Sequence, residues 1–385
     1  MSADLTGSEN QSPSQMSTPK LFQPFKLGKL DLQHRVVHAP LTRFKATKRG
    51  HVEIQPMVKE YYAQRSTTPG TFILTEGTLI HEKVGGFYNV PGIWTDEQIE
   101  SWKQVTSVVH KNASFIFSQL WALGRVAKPD VLKEKDIPYT APSPTPFHDD
   151  GEPPRELTTE EIKEIIQLYV QAAKNAVFKA GFDGVEIHGA NGYLFDQFLQ
   201  DMSNTRTDEY GGSIANRSRF CLEVVDAIAE VVGEERLGVR LSPWSGYQGM
   251  GMKDPIPQFA HFVAELKLRH PNLAYLHVVE PRITGSVDRT SPLSGHESND
   301  FLRAIWSPLP YISAGGYDRE SAVAAAEGTN TLITFGRHFL SNPDLPIRLR
   351  NNIPLNKYNR QTFYLPGDTE EGKKGYVDYP FAIRN

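Results

Sequence analysis

The sequence predicts an α/β fold of the (β/α)8 type, a TIM barrel, on three observations. Eight short runs rich in β-branched and aromatic residues recur along the chain. Longer amphipathic stretches separate them, the pattern of parallel strands joined by crossover helices. The Gly-rich GxGxxG turn of a doubly wound dinucleotide fold does not occur.

The strands are expected at VVHAPL (36–41), TFILTEG (71–77), SFIFSQLW (114–121), GVEIHGA (184–190), LGVRLSP (237–243), YLHVVEP (275–281), YISAGG (311–316) and TLITFGR (331–337). Helices are expected at 55–66, 95–112, 158–180, 216–232, 256–269, 298–306, 318–327 and 343–352. Thr158, followed three residues later by Glu161, reads as a capping box. Asn342-Pro343 reads as a cap with proline at the first helical position.

Two segments fall outside the repeat. FKLGKLDLQHRV, ahead of the first strand, reads as a hairpin turning around Leu27 to Leu30 and capping the barrel's lower end. Residues 123–155 are rich in proline and poor in helical periodicity, so a long excursion is expected after the third strand. Excursions at the carboxyl ends of strands usually cover an active site.

The chain has 385 residues, 39% hydrophobic and 22% charged, with a formal charge of −4, so nothing marks it for nucleic acid or an anionic membrane. No apolar run reaches the roughly 20 residues of a membrane helix. The single cysteine, Cys221, has no internal partner for a disulfide, which fits a reducing compartment. Residues 1–18, rich in Ser, Gln and Asn, read as a disordered tail, leaving 19–385 as one barrel domain. The closing Ile383-Arg384-Asn385 is not a peroxisomal address, and a cytoplasmic location is the default.

In such a barrel, reactive groups stand just past the carboxyl ends of the strands. Those positions hold Thr42, Glu76 with Gly77, Gln119 with Trp121, His188 with Asn191 and Tyr193, Arg240, Glu280, Gly315 with Gly316, and Gly336 with Arg337. Lysine is missing from the strand ends, and no His/Asp/Glu set has convincing metal-ligand spacing. Polar groups without intrinsic reactivity suggest a pocket in which a bound cofactor carries the hard step, and flavin fits.

HGANGY (188–193) is the sharpest local feature. His188 and Asn191 can donate to one carbonyl oxygen while Tyr193 protonates a nearby carbon. Taken singly, each has a plainer reading, His188 as a satisfied structural residue and Asn191 as a turn residue. Arg240 lies inside an apolar strand and needs a partner, either Glu186 or a ligand. Gly336-Arg337 has the layout of the late-loop phosphate site of many barrels.

Together these stretches resemble the Old Yellow Enzyme family of flavin-dependent ene-reductases, fungal type. The resemblance runs from about Leu21 to Phe381 and is carried by LFQPFKLGKLDLQHRVVHAPLTR (21–43), ILTEGT (73–78), FSQLWALGR (117–125) and HGANGYLFDQFLQDMSNTRTDEYGGSIANRSRF (188–220). GVRLSP (238–243), VVEPR (278–282), SAGGY (313–317), FGRHFLSNPDLPIRL (335–349) and PLNKYNRQTFY (354–364) extend it.

The resemblance implies tightly bound, non-covalent FMN, with NADPH as reductant and an α,β-unsaturated aldehyde or ketone as substrate. It implies Ala39, Pro40, Leu41 and Thr42 along one side of the flavin, with Gly77 following. Gln119 and Arg240 fall at its pyrimidine end, and Gly315, Gly316, Gly336 and Arg337 at its phosphate. His188 and Asn191 are implied to hold the substrate carbonyl, Tyr193 to protonate the α-carbon, and Trp121 and Tyr364 to line the pocket. Relatives with phenylalanine in place of Tyr193 look suited to isomerisation. The loops at 123–155, 247–252 and 283–289 depart from the yeast pattern, which leaves the individual substrate open.

Two other readings accompany this one. A dedicated reductase or isomerase of one pathway aldehyde would share the whole cofactor site. A non-redox barrel binding a phosphorylated ligand would account for Gly336-Arg337 but not for the rest. The expected partners are small molecules, without nucleic acid or membrane, for a monomer or homodimer.

Overall fold

The computed structural model describes residues 18–382 apart from 149, 150, 286 and 329. Except for Thr18, the tail expected over 1–18 therefore lies outside the described residues, as does the closing tripeptide.

Eight strands form a closed barrel: Val36–His38 (β1), Phe72–Leu79 (β2), Phe115–Trp121 (β3), Gly184–Gly189 (β4), Leu237–Leu241 (β5), Tyr275–Val279 (β6), Tyr311–Ala314 (β7) and Thr331–Phe335 (β8). Each pairs in parallel with the next in sequence, and β8 closes onto β1. The matching helices are Met57–Arg65 (α1), Asp96–Lys111 (α2), Thr159–Lys174 (α3), Ile214–Val232 (α4), Ile256–Arg269 (α5), Asp300–Trp306 (α6), Arg319–Glu327 (α7) and Leu345–Arg350 (α8). None of the helices described is long and apolar enough to cross a membrane.

The strands are nearly all buried on both faces, which is why they read as continuous apolar runs rather than alternating ones. Their outward faces meet the helices in one large cluster that includes Ile116, Ile187, Val239, Tyr169 and Phe262. Their inward faces fill the floor with Val37, Phe72, Phe117, Tyr275 and Leu332. The hairpin Phe25–Leu27/Leu30–Leu32 plugs that floor, adding Leu27, Leu30 and Leu32 to the same cluster. Gly28 makes its turn at φ +53, and a Cβ there would stand 2.4 Å from the Glu235 carbonyl oxygen, so only glycine fits.

Thr158 caps α3 in a full capping box with Glu161. The segment expected as one helix to residue 180 instead widens into a π-turn at Asn175–Lys179, where the Asn175 amide reaches the Ile93 carbonyl at 2.9 Å. Asn342 does not cap the final helix. It ends the short helix Arg337–Ser341, donating to the His338 carbonyl at 2.8 Å and accepting from the Asn356 N–H at 2.7 Å. α8 begins after Asp344, with Pro346 in its first turn.

The excursion contains a helix at Pro129–Lys133 and a two-residue pairing of Thr140–Ala141 with Arg155–Glu156. Buried Arg125 ties its base to the loop after β5, donating to the Gly249 carbonyl at 2.9 Å and the Gln248 carbonyl at 3.2 Å.

Candidate active site

A cavity of 490 Å³ opens at the carboxyl ends of the strands, within the size range of small-molecule and cofactor sites. Its wall is drawn from every quarter of the sequence: Ala39 to Thr42 after β1, Gln119 and Trp121 on β3, His188 to Tyr193 after β4, Arg240 on β5, Gly315 and Gly316 after β7, and Gly336, Arg337 and Tyr364 beyond β8. Of the strand-end candidates, Glu76, Gly77 and Glu280 stand off the wall. Gly77 lies behind it, where a Cβ would sit 2.8 Å from the Trp121 ring. Glu76 accepts the Arg43 N–H, and Glu280 accepts from Asn299 and Ser313.

At one end a polar row crosses the barrel interior. Strand register sets Gln119 beside Glu186 and Arg240 between His188 and His277. Glu186 is fully buried, where an unpaired carboxylate costs several kcal/mol. Two donors meet it: Gln119 Nε2 at 2.8 Å and His277 Nδ1 at 2.8 Å. With an N–H of its amide committed to Glu186, Gln119 offers its carbonyl oxygen to the cavity as an acceptor.

Arg240 does not take Glu186 as a hydrogen-bonded partner. No hydrogen bond or ion pair joins it to another described side chain, and its Nε is buried without a partner. Burial pushes its pKa down and the nearby Glu186 charge pushes it back up. A guanidinium held this way suits a ligand that carries or acquires negative charge.

His188 is 6% exposed, and burial, then the positive fields of Arg240 and His277, hold its pKa well below the ordinary imidazole value. The ring is therefore neutral and donates from one nitrogen only. It packs at 4.8 Å, edge to face, on Tyr193, which in turn meets Trp121 at 4.9 Å. Asn191 adopts φ +59, a left-handed turn conformation that asparagine tolerates. Its N–H donates to Ser242 Oγ at 2.7 Å, while its side-chain oxygen is buried without a partner. The turn residue is thus also a wall residue. Burial raises the Tyr193 phenol well above its ordinary value, so it stays protonated.

The opposite end carries the glycines. Gly315 and Gly316 have φ of +146 and +62, a backbone that side chains rarely adopt. Arg337 faces them and is paired with Asp288 by two bonds of 2.7 and 2.6 Å. Asp288 Oδ1 would stand 3.2 Å from a Cβ on Gly316, so this carboxylate fills the space between glycine and arginine.

Several wall residues escape the strand-end rule because they lie in loops. Tyr247 and Gln248 come from the loop after β5, Phe44 and Phe87 from those after β1 and β2, and Phe363 from the C-terminal segment. Only the first pair had a signal in the sequence, the unusual YQGMGM.

Comparison with known proteins agrees with this geometry. The family model described as NADH:flavin oxidoreductase / NADH oxidase matches residues 20–356. The chain is 49% identical over 371 residues to a chanoclavine-I aldehyde reductase of Penicillium roqueforti (strain FM164), covering 94% of this chain and 96% of that protein. It is equally 49% identical, over 377 residues, to a probable inactive reductase of Epichloe festucae var. lolii, covering 95% and 96%. Among solved structures, Old Yellow Enzyme from Pichia sp. AKU4542 superposes with TM-score 0.86 at 39% identity, covering 96% of this chain and 95% of that one. Morphinone reductase does so with TM-score 0.82 at 38% identity, covering 96% and 98%.

The buried orphan groups at one end, the glycines and Arg337 at the other and the cavity between them fit a flat heteroaromatic ring with a phosphate tail that would take the place of the Asp288 carboxylate. The chain belongs to the NADH:flavin oxidoreductase / NADH oxidase family and is an FMN oxidoreductase of the Old Yellow Enzyme type.

Proposed function

We propose that this protein reduces the carbon-carbon double bond of α,β-unsaturated aldehydes and ketones at the expense of NADPH. The observation that carries the reading is the convergence, on one wall, of a neutral imidazole, a free amide and a protonated phenol beside Arg240.

FMN, when bound, would supply the hydride relay between NADPH and the substrate's β-carbon. Gln119 and Arg240 hold its pyrimidine end, where the guanidinium balances the charge that reduction brings. Ala39, Pro40, Leu41 and Thr42 line its side, with Gly77 placed to let Trp121 close the wall. Gly315, Gly316, Gly336 and Arg337 take the phosphate. His188 and Asn191 donate to the carbonyl oxygen and draw electron density from the conjugated system. Tyr193 delivers a proton to the α-carbon, and Trp121 and Tyr364 confine the substrate.

The names of the relatives favour an aldehyde of a biosynthetic pathway as the physiological substrate: several are aldehyde reductases. Because a probable inactive reductase is just as similar, sequence identity alone does not separate active from inactive members. The retained Tyr193 argues for net reduction. Purified protein should be yellow, lose its flavin absorbance on anaerobic addition of NADPH and recover it on addition of cyclohexenone. A colourless protein that takes up no FMN, or one bleached by NADPH that no enone or unsaturated aldehyde re-oxidises, would end the reading.

At the phosphate end, FMN must displace Asp288 from Arg337. The pair is partly exposed, and such pairs contribute 1 kcal/mol or less, so Asp288→Asn should tighten FMN by about twofold to fivefold. Riboflavin, lacking the phosphate, should bind both proteins alike. Quenching of flavin fluorescence on titration of the apoprotein reads both. Weaker FMN binding by the variant would show that Asp288 serves the phosphate rather than competing with it.

A further inference from the structure

The HGANGY turn carries Asn191, and its backbone is unusually placed. Asn191 and Gly192 follow one another at φ +59 and +79. Left-handed backbone tolerates asparagine and glycine without selecting one arrangement, so neighbouring groups must make the selection. The side-chain oxygen of Asn191 is buried without a partner. Its amide therefore takes its direction from the backbone that carries it.

Side chains pin that backbone on every side. The Asn191 N–H donates to Ser242 Oγ, just past β5, at 2.7 Å. The peptide group between Asn191 and Gly192 is held at both ends: its oxygen accepts from Gln248 Nε2 at 2.7 Å, and its N–H donates to Asp196 Oδ2 at 2.8 Å. Gln197 Nε2 completes the set on the Gly192 carbonyl at 2.7 Å.

Asp196 is the costly member. It is fully buried in the short helix Leu194–Leu199, where an apolar side chain would serve at less cost if packing alone were at stake. Its second oxygen, Oδ1, accepts from Gln200 Nε2 at 2.8 Å, and Gln200 Oε1 accepts from the Gly251 N–H at 3.1 Å. A buried chain of hydrogen bonds, Gly192 to Asp196 to Gln200 to Gly251, thus joins the turn after β4 to the loop after β5, from which Tyr247 and Gln248 reach the cavity wall. Burial pushes the Asp196 pKa up to about 7, against the pull of Gln200, the Gly192 N–H and Arg125. The ionised form, which can take both donors, prevails at pH 8.5.

We propose that Asp196 is a positioning residue for the substrate: it fixes the Asn191–Gly192 peptide so that the Asn191 amide meets the carbonyl oxygen, and through Gln200 it ties that hold to the loop after β5. The proposal rests on Asn191 being a carbonyl anchor. Asp196 touches neither substrate nor flavin in this role, and acts through Asn191 alone.

The test is a double-mutant cycle at pH 8.5 on re-oxidation of the NADPH-reduced holoprotein by cyclohexenone, followed by stopped flow. Asp196→Asn keeps the shape but offers one acceptor where two donors wait. It should slow re-oxidation about tenfold, the cost of one buried donor left unpaired. Asn191→Gly removes the amide and suits the left-handed backbone, and in that background Asp196→Asn should change the rate by less than about twofold. Asp196→Asn combined with Gln200→Glu inverts the chain's polarity: the asparagine oxygen takes the Gly192 N–H, its amide donates to the new carboxylate, and that carboxylate takes the Gly251 N–H. This pair should return the rate to within about threefold of the parent.

A readout free of turnover is the affinity of the oxidised holoprotein for cyclohexanone, a saturated ketone, read from the perturbed flavin absorbance. Asp196→Asn should weaken it about tenfold, the inverted pair should restore it, and FMN affinity should move by less than about twofold. Equal losses in both backgrounds, no restoration by the inverted pair, or a parallel loss of FMN would mean that Asp196 only supports the fold, and would overturn the proposal. So would an Asp196→Asn protein as fast as a parent that cyclohexenone re-oxidises normally, which leaves the ene-reductase reading standing. An Asn191→Gly protein as fast as the parent would remove the anchor itself, and this proposal with it.

Discussion

Tyr193→Phe is expected to slow re-oxidation of the reduced protein by an enone at least about a hundredfold, the lower end of what a positioned general acid contributes. Reduction by NADPH should stay within about twofold, because hydride arrival at the flavin asks nothing of the phenol. The asymmetry follows from the site. Burial holds the phenol protonated through the working pH range, so every molecule carries the proton, and its ring packs at 4.8 Å on His188, the carbonyl anchor proposed above. Phenylalanine preserves that packing and the 4.9 Å contact with Trp121, so the loss is chemical rather than structural. Stopped-flow measurement of each half-reaction separates the cases, and equal slowing of both would remove Tyr193 from the donor's place.

The same pair of half-reactions bears on the family's divergence. Relatives of equal identity carry names that imply activity and inactivity, so overall identity does not tell the two apart. If Tyr193 is the proton donor proposed above, a protein without the phenol should still take up flavin and be reduced by NADPH but should fail to complete net reduction, which the same two half-reactions read.

The barrel is legible in this sequence because all eight strands are buried on both faces, which leaves runs of Val, Ile, Leu and Phe that no amphipathic helix would show. Strand ends are less so. β1 stops at His38 rather than 41, since Ala39 to Thr42 leave the sheet to form the cavity wall. Most chemistry-bearing positions follow from one rule, that side chains in the last residues of the strands and just past them face the mouth, and the rule reaches Gln119, His188 and Arg240 without further help.

It fails where a residue's partner decides its direction. Glu280 stands just past the end of β6 as Gln119 lies near the end of β3, but Arg303, Asn299 and Ser313 draw it away from the cavity. Asp288, Tyr247 and Gln248 come from loops whose course depends on contacts distant in sequence, such as Arg125 with the loop after β5. Asn342 illustrates the local version: its composition suits a helix start, yet Asn356, 14 residues on, recruits it elsewhere. Propensity states what a residue can do, and the long-range partner selects among the options.

His188 offers the second large effect, together with a pH test that separates its charge state from its role. Removing one preorganised donor to a carbonyl oxygen costs about a hundredfold to a thousandfold in related chemistry, so His188→Leu should lower enone reduction by that order. Because burial and the charges of Arg240 and His277 hold the imidazole neutral, the parent's rate should show no break attributable to this ring near its ordinary pKa of about 6.5. The stability consequence has a definite sign. Below about pH 6.5 the unfolded chain binds a proton at this histidine and the folded chain does not, so folding loses about 1.4 kcal/mol per pH unit on acidification. His34 and His38, each lowered to about 3 by burial, add slopes of the same sign that the variant keeps. Urea unfolding at pH 7.5 and at pH 5.5 should therefore show His188→Leu losing about 1 kcal/mol less than the parent across that interval, although it has lost most of its activity. An acid limb near pH 6.5 in the parent's rate that vanishes in the variant would mean that the protonated imidazolium takes part, and the neutral donor would have to be given up.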